Sequence, residues 1–114
     1  MKRYLVIIPP HKPPYMVGFG EFEKAAEVVN LNIGMMAKVD EACFGTERAI
    51  MFSAGSVRKK SRPINERATY FASLPSAEDD IYGKAVIAAD GEPNRLLGFT
   101  ASVAEKIIDE INSL

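Results

Sequence analysis

The residues able to do chemistry are few and scattered. His11 is the only histidine and Cys43 the only cysteine of the 114-residue chain. A thiolate activated by an imidazole is a workable nucleophile–base pair, but their separation in sequence says nothing about distance, and a lone cysteine beside Phe44 also reads as a packing residue. The segment Pro9-Pro10-His11-Lys12-Pro13-Pro14-Tyr15 is the most unusual. Proline fixes φ and pre-orders the backbone, so this loop could hold His11, Lys12 and Tyr15 in a fixed array for a ligand or partner. It reads equally as a rigid connection from strand to helix. Farther on, Asn65 and Arg67 stand two apart. An amide that caps a helix and a planar guanidinium that grips carbonyls or a carboxylate such as Asp80 suit either a structural turn or a site.

Four cations in five positions, Arg58, Lys59, Lys60 and Arg62, could neutralise phosphates of a nucleic acid. No aromatic residue interleaves them, so base stacking is not indicated. Any such binding is expected to be weak and salt-dependent, and a solvated loop is the plainer reading. Gly18-Phe19-Gly20 ahead of a helix could receive a phosphate on backbone N–H groups. Neither a G-x-G-x-x-G nor a Walker lysine motif accompanies it, and chain reversal explains the glycines as well. Glu78-Asp79-Asp80 lacks the alternate spacing of a calcium loop. With one histidine, one cysteine and no paired ligand spacing, no metal site and no cofactor are expected.

One motif pair carries a family resemblance. Pro63-Ile64-Asn65-Glu66-Arg67-Ala68-Thr69 is followed by Asp80-Ile81-Tyr82-Gly83-Lys84-Ala85-Val86-Ile87. This resembles a family of small bacterial domains of unknown function found in phages, plasmids and integrated elements. Its members show a proline-x-asparagine-x-arginine-alanine segment, then an aspartate, a hydrophobic pair and a glycine leading into an apolar strand. The match is close over about fifteen residues and loose over most of the chain. It departs from the family at the basic loop, which replaces a glycine-rich turn, and in the length of the proline-rich loop. The resemblance implies a mobile-element setting and an accessory role; it brings no catalytic activity with it.

Composition sets the outer bounds. The chain is 47% apolar and 25% charged, with fourteen basic and fifteen acidic residues and a net charge of −1. That is an ordinary globular composition at single-domain length, expected to span residues 1–114. It gives no global field to track a phosphate backbone. The lone cysteine, the short apolar run at residues 4–8 and the want of any long apolar stretch point to a cytoplasmic protein without membrane contact.

The elements that must position these residues follow from periodicity. Tyr4–Ile8 reads as a strand covered on both faces near the sheet centre. Tyr15–Val17 reads as a short edge piece. Phe22, Ala25, Ala26 and Val29 stripe a helix over Glu21–Asn30. Leu31–Val39 alternates and predicts a strand, pairing antiparallel with Ala49–Ala54 across a polar turn at 40–48. Asn65 caps a short helix near 66–73, Tyr82–Ala89 forms a strand, and Ser102 with Glu105 makes a capping box for a helix over Val103–Asn112. The order predicts an α+β fold: a mainly antiparallel sheet of four or five strands with two longer helices and one short helix on one face.

Three functional classes remain: a non-enzymatic accessory or interaction domain; a small enzyme or ligand binder gathering His11, Tyr15, Arg67 and a carboxylate; and a weak nucleic-acid-binding module resting on the basic loop at 58–62. Surplus apolar side chains at Tyr15, Met16, Val17, Phe19 and Met36 predict a symmetric homodimer, besides a protein partner of unknown identity.

Overall fold

The computed structural model of the protein describes residues 3–20, 24–33, 37–44, 47–53, 63–71, 81–91 and 95–113. The elements run β1 (Arg3–Ile8), β2 (Tyr15–Phe19), α1 (Ala25–Ile33), β3 (Ala37–Phe44), β4 (Glu47–Ser53), α2 (Glu66–Phe71), β5 (Ala85–Gly91), β6 (Arg95–Leu97) and α3 (Ala101–Asn112). The fold is α+β. The sheet has the order β2-β1-β5-β4-β3, and every pair is antiparallel. β5 is therefore the central strand, with Ala85 to Ala89 all buried, and β1 is its neighbour.

β6 pairs with β5 beyond the point where β1 leaves it: β1 takes Ala85–Ile87, and β6 takes Ala89–Gly91. The chain then meets the start of β1. Tyr4 N donates to Phe99 O at 2.9 Å and Phe99 N to Tyr4 O at 2.7 Å. Gly98 makes this approach possible, because a Cβ there would lie 2.6 Å from Arg3 Cβ and 2.7 Å from the Phe19 ring.

Strand alternation divides the core in two. Leu5, Ile7, Ile50, Phe52, Val86 and Ala88 face α1, which contributes Ala25, Val28, Val29 and Ile33. Val6, Ile8, Ala49, Met51, Ile87 and Ala89 face the other way, toward Ala68 of α2 and Ala104, Ile107 and Ile111 of α3. Packing of all helices on one face is thus corrected. These strand positions are apolar on each side, and a sheet apolar on both faces has to be covered on both.

The chain from 31 to 48 also differs from its alternation. α1 runs through Ile33, and β3 begins only at Ala37. In a helix, residues two apart point to nearly opposite sides, so Leu31 is 85% exposed while Ile33 is buried. The buried positions 25, 29 and 33 keep helical spacing instead. β3 then occupies positions expected to turn. Its Lys38, Asp40 and Glu41 suit an edge strand, where charged residues are tolerated. β3 and β4 cover all of the predicted turn except residues 45–46, which lie outside the described residues, as do Phe22, Met35 and Met36. The antiparallel pairing itself is present as β3–β4, with a register shift between Lys38 and Asp40.

α3 starts earlier than its stripe suggests. Thr100 Oγ1 accepts from Val103 N at 3.4 Å and caps the helix; Ser102 lies inside the first turn, so the Ser102–Glu105 box does not form the cap.

Candidate functional site

The end of β1, the start of α2 and the approach to β5 meet at Asn65. Residues 63–65 run antiparallel to 81–83 through the bridge Ile64↔Tyr82. Asn65 N donates to Ile81 O at 2.6 Å, and Gly83 N to Pro63 O at 2.8 Å. Gly83 sits at φ +75°, in the left-handed region where glycine carries no steric cost.

The Asn65 side chain is fully buried and fully engaged. Its Nδ2 donates to Ile8 O at 2.7 Å and to Gly83 O at 2.8 Å. Its Oδ1 accepts from Ala68 N at 3.1 Å, which caps α2. An amide carries two N–H donors and a carbonyl oxygen. Here both donors and the acceptor hold backbone, tying three segments together.

Thr69 completes the frame. Its Oγ1 donates to Asn65 O at 2.9 Å and accepts from Ile81 N at 2.9 Å. Two residues earlier, on nearly the opposite side of the helix, Arg67 reaches outward: Nη1 donates to Lys12 O at 2.9 Å on the exposed side. The guanidinium therefore holds the proline-rich loop by its backbone. Pro9 and Pro14 are buried at the loop's ends, while His11, Lys12 and Pro13 stand exposed between them.

The structure thus brings Asn65, Arg67 and the His11-Lys12 turn to one corner, with Asn65 inside and the rest outside. Tyr15 opens β2 opposite Ile7 and is 41% exposed. His11, Lys12, Tyr15 and Arg67 all face solvent. An exposed array works in high dielectric, where fixed dipoles and charges act weakly on a reacting group. It suits contact with a partner better than stabilisation of a transition state.

His11 and Cys43 are far apart. Ile8 aligns through Ala85 and Ser53 with Ala37 at one end of the sheet, whereas Cys43 pairs with Arg48 at the other. Six residues along the strand and three strand spacings across put the backbone of Ile8, at the end of β1 that leads to His11, on the order of 25 Å from that of Cys43. Gly18 lies within β2 and α1 begins at Ala25, so neither Gly18 nor Gly20 stands at the start of α1. Among the described residues, no three His, Cys, Asp or Glu side chains gather as a metal site, and no helix is long and apolar enough to cross a membrane. Arg58, Lys59, Lys60, Arg62 and the acidic run at 78–80 lie outside the described residues.

Three participants escaped the sequence: the Lys12 carbonyl, the two-way hydroxyl of Thr69 and the positive φ of Gly83. Only Gly83 left a signal, as a glycine interrupting an apolar approach to a strand. Compared with models of protein families, with curated proteins and with solved structures, the chain gives no significant match.

Proposed function

We propose that the protein is a non-enzymatic accessory or interaction domain of the cytoplasm, of the kind carried by mobile elements, and that it meets a protein partner through the corner bearing His11, Lys12 and Arg67. The observation behind this is the Arg67–Lys12 bond, set on the Asn65 frame. It fixes the backbone of an exposed, proline-stiffened turn without using the side chains of His11 or Lys12. A loop whose shape is set in advance loses less entropy on binding, which favours recognition. The mobile-element setting rests on the motif resemblance; the positions Pro63, Asn65, Arg67, Thr69 and Gly83 each have a partner within the fold, which accounts for them structurally.

The test compares the wild-type chain with a His11→Ala/Lys12→Ala variant as baits in the native host. Both side chains are exposed, so the melting temperature is expected to stay unchanged. A partner captured by the wild type and reduced about tenfold or more by the variant supports the reading. A partner retained equally by both, or no reproducible partner, rejects it.

A further inference from the structure

The two ends of the sheet are built differently. β3, at one end, carries Lys38, Asp40 and Glu41 and a register shift between Lys38 and Asp40. Charges and bulges of this kind discourage another chain from adding a strand. β2, at the other end, is Tyr15-Met16-Val17-Gly18-Phe19. It has no charge and no proline, and its register with β1 runs unbroken from Arg3↔Phe19 to Ile7↔Tyr15. Among the described residues no strand pairs with its outer side. Tyr15 and Gly18 are exposed, and Met16 and Val17 half-buried.

We propose that β2 pairs antiparallel with β2 of a second copy, joining two sheets into one across a two-fold axis. The strand's own sequence selects that occupant. Val17 and Phe19 belong to the α1 side and Met16 to the α3 side, and faces are kept in such a pairing. With the axis at Val17, Tyr15 stands opposite Phe19 of the second copy, Met16 opposite Gly18, and Val17 opposite Val17. Aromatic meets aromatic across the strands, and the long methionine meets the residue without a side chain. No like charges face each other. This inference does not rest on the His11–Arg67 surface.

Sedimentation equilibrium over a micromolar concentration series tests it. The wild type is expected to approach twice the 12.5 kDa chain mass. Tyr15→Lys/Gly18→Lys changes two exposed positions and sets four cations along the shared edge, so it is expected to raise the dimer dissociation constant about tenfold or more. Leu31→Lys, on the exposed side of α1, serves as a control expected to leave it unchanged. A wild type that stays at one chain mass overturns the proposal, including the case of a monomer whose edge takes a foreign peptide. So does a folded double variant that still dimerises. If the double variant does not fold, hydrogen exchange of the wild type decides: amides of β2 gain protection with concentration if the edge is shared, and a pattern independent of concentration rejects it.

Discussion

Asn65 invites a substitution series in which cap and bridge give opposite answers. Asn65→Ala removes the cap and leaves the carbonyls of Ile8 and Gly83 buried without their donors; a loss of about 3 kcal/mol is expected from chemical denaturation. Asn65→Asp keeps a good capping oxygen but turns a second oxygen toward the same two carbonyls. If Asn65 were only a cap, the aspartate would be nearly neutral; as a bridge, it should cost at least as much as alanine. The variant also carries a pH signature. Burial against carbonyl oxygens pushes the new carboxyl's pKa above its unfolded value. The protonated form is then the stabilising one, so its contribution is complete below the unfolded pKa and is lost as pH rises through the folded pKa. Asn65→Asp should therefore lag the wild type most near neutral pH and least in acid; a pH-independent gap would reject the bridge. Gly98→Ala is expected to cost ~1–3 kcal/mol by differential scanning calorimetry, because the methyl would meet the Cβ of Arg3, which moves only with the backbone of β1. A neutral Gly98→Ala would mean that β1 and the 97–99 segment are not in contact.

Among the elements, α3 is the simplest to dissect. Its stripe Ala104, Ile107 and Ile111 is buried, and Ile107→Ala should lower stability by ~2–5 kcal/mol. Thr100→Ala removes the side-chain acceptor of the cap and should cost about 1 kcal/mol; urea titration of both variants gives the comparison. A loss below ~0.5 kcal/mol for Ile107→Ala would put that side chain on the surface. The stripe of α3 was readable because apolar residues at helical spacing leave one solution. Leu31–Val39 was not, since an apolar residue at every second position satisfies a strand and also the end of one helix plus the start of the next strand. The split depends on Ile33 finding Leu5, Ile7 and their neighbours, a tertiary fact. Helices on both faces were legible in principle from the unbroken apolar runs of β1 and β5. At the candidate site, Asn65 as a cap could be read locally, whereas its bonds to Ile8 and Gly83 span 57 and 18 residues and leave no local trace.

For the molecule as a whole, the strand order has a consequence in time. β1–β2 and β3–β4 are local hairpins, and neither touches the other within the sheet; only β5, more than eighty residues into the chain, joins them. Loop closure of that length has to be met before any central pairing rewards it. During synthesis the N-terminal hairpin, with its uncharged outer strand, must wait through the emergence of most of the chain. The arrival of β5, rather than the formation of either hairpin, is therefore expected to limit the rate of folding. Ile87→Ala should slow refolding in stopped-flow experiments, while a destabilising change confined to β2, such as Met16→Ala, should mainly speed unfolding. If both act on the same limb of the kinetics, the sheet assembles in another order. A nascent chain paused before residue 85 would hold two half-sheets with open inner edges, and that interval is when it most needs a chaperone.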